Sequence, residues 1–342
     1  MPYRYIPILR WKGGEQGAIK RVSEAGIRDV IPLVVLTPIT YKEQKETITR
    51  EEIPAAELFA QSLYKHWGSR PFFLDASRVE PTATHPLIAI ARACHSRGAN
   101  LIPATKLGAG KAYDDAVKLV AAAHGRNVAL RVALRELTSA KDWLATWPHA
   151  LGDTDLIADF EDSVETVVAL GDLVDQAFRG LHEGDRWRSV TIAGTSIPEN
   201  FAGLAPGLSL LARHERLLWE RLVDAKLPYR LDFGDYATQS TRPPPTAPKW
   251  GFPINVRYTL PSHVLVCRGV STTRGEQAKE MSDQLVGHAR SIVSYKDRHR
   301  IGCWADEMID KIAKKNEKPG NLETWVKLSI NRHIELVRAT TP

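Results

Sequence analysis

Cysteine is scarce in this chain: Cys94, Cys267 and Cys303 stand far apart among 342 residues, and no two of them form a CxxC pair. That excludes a zinc module and a disulfide framework as sources of stability, and it fits a reducing cytoplasm. Long apolar runs are missing as well. The opening MPYRYIPILRWKGG carries charges inside its only short apolar stretch, and no segment reaches the roughly 18 apolar residues that a membrane helix needs. A cytoplasmic chain with no membrane partner is expected. Several catalytic signatures are also absent: there is no H-E-x-x-H pair, GTSIPEN lacks the last glycine of a nucleophile elbow, and no glycine-rich phosphate fingerprint follows the first strand. Ser196 therefore reads as a loop residue. Most histidines, among them His85, His95, His124, His214, His263, His288, His299 and His333, read as solvated or capping groups. Charge of one sign is only slightly in excess. The 46 basic and 40 acidic residues leave +6 and a pI near 9.1, which permits an anionic partner without requiring one.

What the sequence does contain is an alternation of short aliphatic runs with longer amphipathic ones. Runs at 5–9, 31–36, 71–75, 100–105, 128–134, 156–160, 189–194 and 229–233 read as strands. Between them PAAELFAQSLYKHW, PLIAIARACHSRG and YDDAVKLVAAAHG carry apolar residues at helical spacing. Eight strands with a helix-sized gap after each predict an α/β fold of the TIM-like (β/α)8 barrel type. The proline segment TRPPPTAPKWG then marks a boundary. The expected organisation is a barrel over 1–242 and a C-terminal α+β extension over 243–342, in which INVRYTLPSHVLVCRG forms a β-hairpin followed by helices, packed on the barrel.

Side chains alternate across a strand, so the bulkier apolar parity faces the helices and the other faces the lumen. In VALRVALR this turns Arg131 and Arg135 inward. The same reading turns Arg10 inward with Lys12 just beyond it, and adds Asp75, Lys106, Asp159, Glu161, Thr191, Thr195, Arg230 and Asp232. Asp235 joins them at the end of the eighth strand. Such charges are costly to bury unpaired, and strand ends at the C-terminal mouth are where barrels of this kind carry their sites.

Three chemistries suit that set. An anionic or peptidic ligand, or a protein partner, fits the mixed charges. No cofactor is indicated beyond a divalent cation, magnesium or manganese, held by Asp75, Asp159, Glu161 and Asp232 in a metal-dependent phosphodiesterase or other hydrolase, with Lys106 and Arg135 on the phosphate. Lys106 as a Schiff-base nucleophile is the less expected alternative to a salt-bridged lysine. SYKDRHRIGCW, with Lys296, Arg298, His299 and Arg300 near Tyr295 and Trp304, suggests nucleic-acid binding.

Taken in order along nearly the whole chain, YIPILRWKGGEQGAI, LDFGDY, INVRYTLPSHVLVCRG and NLETWVKLSINRHIELV resemble the beta protein family, named for a bacteriophage T4 protein and widespread in bacteria. The resemblance implies a setting in phage–host conflict and supplies no reaction. Family members tend toward paired histidines near the C-terminus; here Arg332 and His333 stand there, so a histidine ligand pair does not carry over. Arg257 and Arg268 in the hairpin, and Trp11, Trp250 and Trp325, stand beside the shared motifs, and Trp325 is expected to anchor the last helix against the barrel.

Overall fold

The computed structural model describes residues 3–38, 54–81, 83–125, 127–181, 186–242, 253–273, 275 and 278–341. The proline segment from 243 onward and Trp250 lie outside the described residues. Two compact units are present, and each is interleaved in sequence. The first comprises residues 1–12, 29–194 and 217–235; the second comprises 13–28, 195–216 and 236–342.

The first unit is a closed parallel barrel. Its strands are β1 (Tyr5–Leu9), β2 (Leu33–Val35), β3 (Pro71–Asp75), β4 (Asn100–Lys106), β5 (Val128–Val132), β6 (Thr154–Asp159) and β7 (Ser189–Ala193). After β8 (Gly207–Ala212), which belongs to the second unit, β9 (Leu231–Asp235) pairs with both β7 and β1 and closes the ring. All eight runs read from the sequence are therefore barrel strands: 5–9 and 71–75 match end to end, and the other six differ by one or two residues at one end or both.

Helices between the strands follow from the apolar spacing: α3 (Ala55–Trp67), α4 (Pro86–Ser96) and α5 (Lys111–Ala123) each bury an aliphatic stripe. His85 caps α4, its Nδ1 accepting from the Leu87 amide at 3.1 Å. Gly98 and Gly125 follow the ends of α4 and α5 at φ 74° and 103°, a conformation that favours glycine. These helices are preceded in the chain by α1 (Gly13–Ile19) and α2 (Glu24–Ile27) of the second unit.

Register fixes which side chains share the lumen. Across adjacent strands Ile8 pairs with Leu33, Leu33 with Phe73, Phe73 with Ile102, Ala104 with Ala129, and Ile157 with Thr191. All are buried, so the barrel's middle is filled by apolar layers and one threonine. The other parity meets the helices: Trp219, on the helix His214–Asp224, packs at 5.7 Å from Phe233 and donates to the Leu231 carbonyl at 2.8 Å.

In the second unit β8 completes a three-stranded antiparallel sheet with β10 (Pro253–Thr259) and β11 (His263–Ser271), in the order β10-β11-β8. The helices Met281–Ser294, Trp304–Ala313 and Leu322–Thr340 pack on it, and Trp325 sits in their shared core with Ile254, Tyr258, Leu285 and Ile309. Arg332 and Asp306 are fully buried there, their Nε and Oδ1 3.3 Å apart, and the Arg332 guanidinium lies 4.8 Å over the Tyr258 ring. His333, expected in solvent or at a cap, is buried with Nδ1 3.0 Å from the Thr259 hydroxyl.

Candidate functional site

At the C-terminal ends of β3, β4, β5 and β6 the barrel opens into a cleft of about 450 Å³. Its floor is Arg131, whose guanidinium donates through Nη1 to Asp75 and through Nη2 to Asp159 at 2.6 Å. Parity alone brings these three together, because Asp75, Arg131 and Asp159 all sit on the lumen face. The carboxylates are held from behind as well: the Ser77 amide donates to Asp75 at 3.0 Å and the Glu161 amide to Asp159 at 3.0 Å. Burial works against charge on Asp75, but Arg131 and the Ser77 hydrogen bonds prevail and hold its carboxyl below the usual carboxylate range. Tyr113 backs the floor, its hydroxyl donating to the Ala104 carbonyl at 2.7 Å and accepting from the Ala76 amide at 2.9 Å. Burial, then the Asp75 charge, push that phenol well above its ordinary range, so it stays protonated.

Around the rim stand Arg78, Lys106 and Arg135, all exposed, and none forms an ion pair among the described residues. Two glutamates share the rim. Glu136 is committed, accepting from the Ala133 amide at 2.8 Å as the cap of α6 (Leu134–Thr138). Glu161 is exposed, just past β6 at φ 51°. The rim thus offers three uncommitted cations against one uncommitted carboxylate.

Of the residues expected at the mouth from sequence, Asp75, Lys106, Arg131, Arg135, Asp159 and Glu161 line this cleft. The others do not. Asp232 lies at the opposite end of the barrel, because β9 begins at Leu231 and places it second in the strand. There it accepts from the backbone amide of Arg4 at 3.0 Å and from Arg4 Nε at 2.7 Å, and Arg230 pairs with it at 3.1 Å. Asp155 extends that cluster through Arg4 and Arg188. Asp235 has the helix-facing parity and accepts from the Tyr5 hydroxyl at 2.6 Å. Arg10 is buried and Lys12 exposed just past β1, and neither lines the cleft. Thr195 and Arg257 belong to the second unit, where Thr195 donates to the Gln239 carbonyl at 3.0 Å and Arg257 donates to the Thr238 carbonyl.

The four-carboxylate metal set is consequently not assembled: Asp232 is at the far end, and Arg131 occupies the facing oxygens of Asp75 and Asp159. Among the described residues no group of three or more histidine, cysteine or acidic side chains is placed to hold a metal ion. In SYKDRHRIGCW, Arg298 is nearly buried and bonds Asp310 at 2.7 Å, and Arg300 pairs with Asp310 at 3.0 Å. Those two cations of the expected nucleic-acid segment serve the fold of the second unit. Arg78 was not foreseen, although its position three residues past Asp75 on a strand-to-helix loop is a place where barrels put ligand-facing groups.

Among solved structures, triosephosphate isomerase from Bartonella henselae is similar at 12% identity and a TM-score of 0.37, over 69% of this chain and 93% of that one. No curated protein matches. No helix among the described residues is long and apolar enough to cross a membrane. The sequence model of the Beta protein family matches residues 5–338, nearly the whole chain, and the protein belongs to that family.

Proposed function

We propose that the barrel binds a small anionic ligand, bearing a carboxylate or phosphate group, at its C-terminal mouth. The observation that carries this reading is the rim of Arg78, Lys106 and Arg135, three cations without an ion pair above an Arg131 already matched to Asp75 and Asp159. Guanidinium groups match such anions through paired N–H donors, and an ammonium beside them adds a point charge. The rigid floor lets the rim meet an anion without first breaking a buried pair. The setting that the family resemblance implies, conflict between phage and host, is proposed with it. Its test is the plating efficiency of phage on host cells with and without the gene, and equal plating would discard the setting.

The binding test is a thermal-shift series with inorganic phosphate, pyrophosphate and citrate. A ligand that binds only the folded state adds about 2.7 kcal/mol at a hundred times its Kd. At least one of these anions is expected to raise the Tm of wild type and to leave Lys106→Ala/Arg135→Ala unmoved. Anions that raise both proteins alike would sink the reading. Magnesium and manganese form a separate arm, because the metal-assisted hydrolase expected from sequence requires that they raise the Tm through Asp75 and Asp159.

A further inference from the structure

A second cleft, of about 270 Å³, adjoins the first, and Lys106 lines both. Its character is different: Trp143, Trp147 and His149 line it, with Asp114 at one side. Both indole N–H groups are already used, Trp143 on the Glu136 carbonyl at 2.8 Å and Trp147 on the Thr154 hydroxyl at 3.1 Å. Those bonds fix the ring planes, and both rings stay partly exposed where they line the cleft. His149 lies 5.1 Å from Trp147, and burial, then Lys118, lower its pKa, so it meets a ligand as a neutral ring at pH 7. Asp114 accepts from the Thr105 hydroxyl through one oxygen at 3.4 Å, and its second oxygen has no hydrogen bond among the described residues.

We infer that the anion of the mouth is a nucleotide, its phosphate on Lys106, Arg135 and Arg78 and its base against Trp143 and Trp147 in the adjoining cleft. The inference rests on the anion-binding reading and adds the part of the ligand which that reading leaves open. An aromatic cleft joined to a cationic rim by one shared lysine matches a molecule that is planar and apolar at one end and anionic at the other. Asp114 supplies an acceptor for a ring N–H or exocyclic amine. A free anion or a sugar phosphate leaves the tryptophan faces in water, so base stacking is what separates the candidates.

Isothermal titration of the full chain with AMP, UMP, ribose 5-phosphate and inorganic phosphate tests it. On wild type the two nucleotides are expected to bind roughly tenfold more tightly than ribose 5-phosphate, the scale of one stacked base. Trp147→Ala is expected to erase that gain and leave ribose 5-phosphate affinity unchanged, while Trp147→Phe, which keeps a ring, retains most of it. Lys106→Ala is expected to weaken all four. If nucleotides bind no better than ribose 5-phosphate while Lys106→Ala still weakens the phosphates, the base site is wrong and the anion site stands. If the nucleotide gain survives both Trp147→Ala and Trp143→Ala, the base lies elsewhere and the inference falls. If none of the four binds wild type, the inference falls, and the anion reading falls with it unless citrate or pyrophosphate raises the Tm through Lys106 and Arg135.

Discussion

Asp75 shows how one residue ties stability to the site. Its carboxylate is buried against Arg131, and Arg131 also serves Asp159, so the three charges form one unit rather than two pairs. Removing Asp75 leaves Arg131 paired with Asp159 but takes away a buried charge-assisted hydrogen bond, a loss on the order of 2 kcal/mol. Asp75→Asn is therefore expected to lower the midpoint of urea unfolding with little change in slope, and a shift under about 0.5 kcal/mol, the scale of an ordinary surface change, would show the trio to be slack. The pH dependence has a definite sign. A carboxyl depressed on folding contributes stability that is present above its unfolded value, near 3.9, and lost as pH falls through the lower folded value. Wild type should thus lose stability below about pH 4, and Asp75→Asn should lose less over the same window. The cysteines behave in the opposite way: burial raises the Cys94 and Cys267 thiols to about 12 and Cys303 to about 11. Native protein is expected to resist a thiol reagent at pH 8 and to react at all three once unfolded; fast labelling of the folded chain would contradict that burial.

At the scale of elements, strand existence and parity were legible and strand ends were not. VALRVALR announces the lumen arginine because bulky apolar residues alternate with alanine or arginine, and the structure places Arg131 inward with two lumen aspartates. The eighth barrel strand shows the limit. Read as 229–233, it puts Asp232 at the mouth; observed as Leu231–Asp235, it puts the same residue near the start. A shift of two residues preserves parity, so Asp232 faces the lumen as expected but at the opposite end. The strand Gly207–Ala212 went unread because its partner, His263–Ser271, lies about fifty positions on, and long-range pairing leaves no local trace. The aromatic cleft was hidden for a related reason: Trp143 and Trp147 look like core residues until their neighbours are known. Helix ends rest on local chemistry. Asn321 caps the last helix by accepting from the Thr324 amide at 3.0 Å, so Asn321→Ala is expected to cost about 1 kcal/mol, visible as a lower Tm, whereas Asn321→Ser should be nearly silent.

For the whole molecule, the consequential feature is that each unit is discontinuous in sequence. A cut at the proline segment looks natural from composition, yet the second unit draws residues 13–28 and 195–216 from before it. The bonds that bind those pieces are specific. Glu335 accepts from the Ser23 amide at 2.6 Å and from its hydroxyl at 2.9 Å, Asn331 donates to the Ala18 carbonyl at 3.3 Å, and among the described residues β8 pairs with β11 alone. The contact is close enough that a methyl on Gly26 would lie 2.2 Å from Glu335 Oε2. A fragment ending at Arg242 would keep α1, α2 and β8 but lose the last helix, on which α1 and α2 pack, and the strand that pairs with β8, exposing apolar helix faces and an unpaired strand. Such a fragment is expected to bind a hydrophobic dye and to lack a sharp thermal transition, while the full chain melts cooperatively. A fragment that melts as sharply as the full chain would mean that the barrel's stability does not depend on the second unit, and the boundary at 242 would then be the true one.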